Sequence, residues 1–132
     1  VLLQRDGSQT TTSLTQWRAN HPGQAVALHL WAEWCPICRA EEHNISSLVV
    51  DRPVLTIAMR SGPPAAVARV LAQRQLRWPV AVDSRGDLTR QLGFSAVPAF
   101  VVIDPQGRLR SPSVGYTSAL GMRLRLWWAD TF

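Results

Sequence analysis

The sequence reads as an α/β protein with a mixed β-sheet, and three observations lead there. Unbroken apolar runs of strand length recur along the chain, segments with helical spacing separate them, and clusters of turn-forming residues mark the joins. The first run, residues 25–31, has the continuous apolar character of a strand buried on both faces. Pro36 then suits the first turn of a helix, where its missing N–H costs nothing. Ile37, Ala40, Ile45, Leu48 and Val49 recur behind it at helical spacing. Residues 53–59 form a second buried run. Ser61, Gly62, Pro63 and Pro64 break it and start a helix carrying Val67, Val70 and Leu71. Residues 79–83 are a short strand with Ser84, Arg85 and Gly86 as its turn, and a short helix over 88–92 ends at Gly93, which suits a C-cap. Residues 100–103 are the next strand. Asp104, Pro105, Gln106 and Gly107 turn it towards a strand near Leu109, and the two suit an antiparallel hairpin. A last helical segment covers about 118–128. No repeat, linker or low-complexity tract divides the chain, so one domain over residues 1–132, with its core at about 10–128, is expected.

Composition bounds the chemistry. Hydrophobic residues make up 46% and charged residues 17%, which is globular rather than disordered composition. The net charge is +5 and all 14 basic residues are arginine, spread from Arg5 to Arg125 without the patch or stripe of a nucleic-acid footprint. No nucleic-acid partner is expected. No stretch approaches the roughly 18 apolar residues of a membrane span, and no signal peptide is expected within the chain. The start at Val1 rather than at methionine points to a processed or trimmed chain.

The chemistry-bearing motif is "WAEWCPIC", residues 31–38, which holds the chain's 2 cysteines, Cys35 and Cys38. A structural staple, a metal clip and a redox pair share this pattern. A staple is poorly motivated, because a cross-link stabilises less as its loop shortens and this loop is nearly the shortest available. Zinc wants four ligands and the motif supplies two, with His43, His21 and His29 as distant candidates. A soft thiolate pair also suits Cu(I). The redox reading draws on position: Cys35 ends a buried strand and opens a helix, so its sulfur faces unsatisfied N–H groups and the positive dipole end. An unperturbed cysteine is only ~3% ionised at pH 7, and a drop of ~2 pKa units makes it mostly thiolate, the attacking species. Cys38, one turn on, is placed to resolve a mixed disulfide.

"WAEWCPIC" resembles the active-site segment of thioredoxin-fold proteins. Downstream, "WPVAVDSRGDLTRQLGFSAVPAFVVIDPQGRL" is similar to the TlpA-like class of periplasmic thiol–disulfide oxidoreductases, where a P-V-x-x-D strand, a Y/L-G-V-x-x-x-P loop and an I-D-x-x-G hairpin recur in this order. The CPIC sequence and the "MRLRLWW" end resemble the suppressor-of-copper-sensitivity D branch. The resemblance covers about residues 10 to 128. It implies a thioredoxin-like fold, a central mixed sheet flanked by helices on both faces, and a monomer. It implies thiol–disulfide exchange with protein substrates, in the reducing direction, with no cofactor. It also implies an extracytoplasmic location, a tether to the inner membrane before Val1 and a transmembrane electron donor. A Cu(I)-handling module using the same cysteines is the alternative from a different class.

The resemblance makes Cys35 the exposed attacking cysteine and Cys38 the buried resolving one. It matches Pro98 to the family's cis-proline, which removes a backbone donor beside the sulfurs and leaves Val97 free to pair with an incoming polypeptide; the alternative is an ordinary trans proline opening a strand. Glu41, a turn after Cys38, either exchanges the resolving cysteine's proton or is a solvated carboxylate paired with an arginine; Glu42 is read as surface. His29 stands six residues before Cys35, where thioredoxins carry a buried acid. It either handles a proton, stabilising the thiolate if charged, or is a neutral, hydrogen-bonded core residue. Trp34, Pro36 and Ile37 are the candidate substrate surface with Val97. Trp31 is expected in the core, and Trp78, Trp127 and Trp128 are expected to pack.

Overall fold

The computed structural model describes residues 2–3 and 8–132. Its strands are β1 (Leu2–Leu3), β2 (Gln9–Thr10), β3 (Val26–Trp31), β4 (Val54–Met59), β5 (Val80–Asp83), β6 (Ala99–Ile103) and β7 (Leu109–Val114). Its helices are α1 (Leu14–Arg18), α2 (Pro36–Asp51), α3 (Pro64–Arg74), α4 (Asp87–Gln91) and α5 (Ala119–Thr131). The strands form one sheet in the order β2-β1-β5-β4-β3-β6-β7. Strands β3, β4 and β5 run parallel, whereas β6, β7 and β1 are antiparallel to their neighbours. The expected mixed sheet is therefore present, and β6–β7 is the expected hairpin.

The unbroken apolar runs end up where their composition sends them. Strands β3 and β4 are buried at every position, because helices cover both faces. Alternation along β3 splits the core. Ala27 and Trp31 join Ile45, Leu48, Val67, Met122 and Leu126 from α2, α3 and α5. Val26, Leu28 and Leu30 point the other way, towards Trp17 of α1 and Phe94 beyond α4. Helix α2 starts on Pro36, as expected, and Gly93 follows α4 at φ +88, the left-handed conformation that glycine adopts without steric penalty.

Three short elements near the N-terminus have no counterpart in the sequence reading: β1, β2 and α1. Helix α1 has only 5 residues, too few for a periodicity, although its capping box is legible as Ser13 and Gln16. The last helix also runs past Trp128 to Thr131. Trp78 packs as expected, buried and donating from Nε1 to Ser46 Oγ at 3.0 Å. Trp127 and Trp128 do not: they are 50% and 48% exposed. Met122, Leu126 and Ala129 form the buried stripe of α5, and helical geometry turns the two tryptophans away from it. They gather with Phe132 instead, the Trp128 and Phe132 ring centroids lying 4.6 Å apart.

The packing of α5 predicts a contrast along one helix. Leu126→Ala removes a fully buried side chain and is expected to cost about 2–5 kcal/mol. Leu124→Ala, at a half-exposed position, changes stability by less than about 0.5 kcal/mol. Urea unfolding of the reduced protein measures both.

Candidate active site

Strand β3 delivers Trp31 and Ala32 into the core, and the chain then turns: the Cys35 N–H donates to the Ala32 carbonyl at 3.2 Å. Cys35 is the N-cap of α2 in an extended conformation, and its Sγ accepts the Cys38 N–H at 3.2 Å. A sulfur takes the capping place that a Ser or Asp oxygen usually holds. Both cysteines are free thiols. The expectation of an exposed Cys35 needs correction, since Cys35 is 6% exposed and Cys38 3%. The Cys35 sulfur is tucked between the Cys38 amide and the Val97 carbonyl oxygen, 3.9 Å away, rather than standing out from the turn.

Val97 arrives there through the sheet. Strand β6 pairs with β3 so that Ala99 lies opposite Leu30, which brings the preceding Val97–Pro98 step beside the end of β3 and the start of α2. That peptide bond is cis. Pro98 is buried and Val97 half-buried. Around the sulfurs lies an exposed apolar rim: Trp34 is 55% exposed, Ile37 51%, and Pro36 is exposed between them. The Trp34 indole is held by its Nε1, which donates to the Arg60 carbonyl at 3.1 Å.

A Redoxin family model matches residues 4–119. The chain belongs to the Redoxin family. Among its relatives, a "Thioredoxin-like protein" of Haemophilus influenzae is 28% identical over 97% of this chain. A "Probable thiol:disulfide interchange protein DsbE-2" of Pasteurella multocida is 32% identical over 81% of it. The chain spans 75% of the length of the first and 56% of the second. Among solved structures, the exposed lipoprotein thioredoxin of Streptococcus pneumoniae superposes with a TM-score of 0.79 at 24% identity, covering 96% of each chain. The fold is thioredoxin-like.

Beneath the sulfurs of this Redoxin domain lie two buried ionisable groups. Glu41 is 1% exposed, and its Oε2 accepts a short hydrogen bond from the Thr117 N–H. It is not the solvated, arginine-paired carboxylate of the alternative reading. That description belongs in part to Glu42, which is half-buried rather than a free surface residue and pairs with Arg74 at 2.9 Å. Burial raises the Glu41 pKa to about 7, with the Thr117 N–H opposing the rise. His29 is fully buried, its Nδ1 4.0 Å from Glu41 Oε1, and neither ring nitrogen has a hydrogen-bond partner. Burial lowers its pKa to about 3, so the imidazole is neutral at pH 7 and cannot be the charged stabiliser of a thiolate. The hydrogen-bonded core histidine is absent too. The Cys38 thiol is pushed up by burial first, then by its hydrogen bond with Cys35 and by the charges of Cys35 and Glu41. Among the described residues, no cluster of three or more His, Cys, Asp and Glu side chains is arranged to hold a metal ion.

Two residues of the site were missed by the sequence reading. Thr117 anchors Glu41 from 76 positions away, and Arg60 anchors Trp34 from 26 positions away. Both act through backbone atoms, so side-chain identity carries no signal of them.

The His29–Glu41 pair shapes stability against pH. Unfolded, Glu41 loses its proton near 4.5 and His29 keeps one up to 6.5; folded, the limits are about 7 and about 3. Between pH 4.5 and 6.5 both states carry one proton on the pair, on His29 when unfolded and on Glu41 when folded, so the pair adds no slope. Above that window the folded state binds more protons and stability falls as pH rises to about 7. Below it the unfolded state binds more, and stability falls with pH towards 3. Glu41→Gln removes the alkaline-side loss. It is expected to gain on the wild type between pH 4.5 and about 7, by up to about 3 kcal/mol, with a constant gap outside that range, as read by urea unfolding across a pH series.

Proposed function

We propose that the chain is a thiol–disulfide oxidoreductase that reduces disulfides of protein substrates through Cys35 and Cys38, acting as one thioredoxin-like domain. The observation that carries this reading is the buried thiol pair at the start of α2 with the Cys35 sulfur facing the Val97–Pro98 step. The names of the relatives support it. In the first step Cys35 Sγ, as thiolate, attacks a substrate disulfide; a mixed disulfide forms and one substrate sulfur leaves as thiolate. Cys38 then loses its proton and attacks Cys35 Sγ. The mixed disulfide breaks, the second substrate sulfur leaves, and two electrons have passed from the pair to the substrate.

The second step needs a base, because burial and the Cys35 hydrogen bond hold the Cys38 proton. Glu41 lies one turn along α2, buried, with a pKa close to neutral. Its carboxylate takes the Cys38 proton in this reading. Trp34, Pro36 and Ile37 offer the polypeptide an apolar surface around the sulfurs, and the Val97 backbone offers it a partner for strand addition.

The lipoprotein description of the pneumococcal neighbour supports an extracytoplasmic protein tethered by a segment before Val1. No helix among the described residues is long and apolar enough to cross a membrane; in this reading the tether would lie before Val1. A transmembrane donor would return electrons to the pair. The second reading, Cu(I) handling, draws on the same two thiols, soft ligands beneath an apolar rim.

Cys38→Ser separates the two readings. The redox enzyme is expected to accumulate a mixed disulfide with a substrate polypeptide, resolved by dithiothreitol and abolished by adding Cys35→Ser; a copper module would lose metal and trap nothing. The direction is tested by equilibration with dithiol redox buffers, following the fluorescence of Trp31 and Trp34. A reductase is expected near about −270 mV, whereas a value near about −120 mV would make the protein a disulfide donor.

A further inference from the structure

A cavity beyond Trp34 and the Val97 step is left unused by thiol–disulfide exchange itself. It has a volume of about 150 Å³ and is lined by Met59, Arg60, Thr89, Arg90, Phe94 and Ser95. Two links place it at the rim of the active site. The Arg60 carbonyl holds the Trp34 indole, and Ser95 stands two residues before Val97, whose carbonyl oxygen faces Cys35 Sγ.

The chemistry of the cavity is cationic. The side chains of Arg60 and Arg90 converge over Gly86: a Cβ there would meet Arg60 Nε at 3.2 Å and Arg90 Nη1 at 3.4 Å. Glycine at this position leaves both guanidinium groups room to lie against the chain. The carboxylates nearby are already engaged. Asp87 pairs with Arg90 and Arg85. Asp83 accepts from the Leu88 and Thr89 N–H groups and from Thr89 Oγ1. Neither Glu33 nor any other carboxylate of the described residues forms an ion pair with Arg60. The Arg60 backbone is also held in an uncommon state, at φ +50, by its N–H to the Asp83 carbonyl at 2.9 Å and its carbonyl to Trp34. A fixed backbone thus carries, beside Trp34, a guanidinium with no carboxylate partner among the described residues.

We propose that this cavity reads an acidic side chain of the substrate polypeptide, two residues from the cysteine under attack. The inference rests on the thiol–disulfide reading and names the substrate class. An extended peptide laid along Ser95–Val97 advances ~3.3 Å per residue and turns alternate side chains to the same face. With its cysteine at Cys35, the side chain two positions away reaches Ser95 and the two arginines. The carboxylate enters between Arg60 and Arg90, and Phe94 and Met59 line the way in for its methylenes.

The test uses symmetric disulfide-linked dimers of a short, otherwise uncharged peptide with Glu, Gln or Lys two positions before or after the cysteine. Each is mixed with the reduced protein and followed by tryptophan fluorescence. The peptide S–S bond breaks, the Cys35–Cys38 bond forms, and both peptide halves leave as thiols. On one side of the cysteine, the Glu peptide is expected to react about 5-fold faster than the Gln peptide at low salt, and the Lys peptide slower still. High salt should shrink this ratio, as it does for charges at the edge of an interface. Arg60→Gln and Arg90→Gln each bring the Glu/Gln ratio towards 1. Equal rates for the Glu and Gln peptides on both sides with the wild type would overturn the inference and leave the thiol–disulfide reading standing. If no peptide is reduced at all, that reading falls and the inference with it.

Discussion

Strand β6 runs antiparallel to β3 with Ala99 opposite Leu30, and the geometry of the site follows from that register. One residue further, the chain passes the mouth of the β3–α2 turn, so Val97 and Pro98 have no other place than beside Cys35. A shift of one residue would send the apolar set of β6 to the wrong faces of the sheet. Phe100 and Val102 belong to one core and Val101 and Ile103 to the other, so burial on both sides holds the register. Residues some 60 positions apart thus meet because two apolar layers fix a strand.

The same burial produces the unusual electrostatics under the sulfurs. Placing His29 and Glu41 together in the core as an ion pair would require desolvating two charges, whose attraction repays the penalty only with excellent geometry and further hydrogen bonds. At 4.0 Å, with both imidazole nitrogens unpartnered, that geometry is absent. The neutral forms win, and folding moves the pair's proton from the histidine to the carboxyl. A carboxyl with a pKa near neutrality then stands one turn from Cys38, a thiol that burial holds protonated. Burial thus acts on both groups in the same sense, favouring the protonated carboxyl and the protonated thiol.

The surface around the site divides its labour. Trp34, Pro36 and Ile37 form an exposed apolar rim around the sulfurs. Arg60 and Arg90 are the charged groups that share a cavity with Ser95, close to the Val97 step, and exposed charges of this kind tune encounter rates more than affinity.

Much of the site was legible in the chain itself. Residues 25–31 declared a doubly buried strand, Pro36 a helix start, and the two cysteines the join between them, because all three signals are local. The G-F-S-A-V-P-A-F stretch became informative through family resemblance, and the hairpin through Asp104 and Gly107. What sequence could not settle was the state of polar groups. Glu41 and Glu42 are neighbours of the same type, yet one is sealed against Thr117 and the other pairs with Arg74. Trp78 and Trp128 are the same residue, yet only the first is buried. In each case the answer depends on which distant element packs over the side chain. Local sequence determines where strands and helices begin; the burial of a charge, and hence the chemistry it can do, is decided when those elements close on one another.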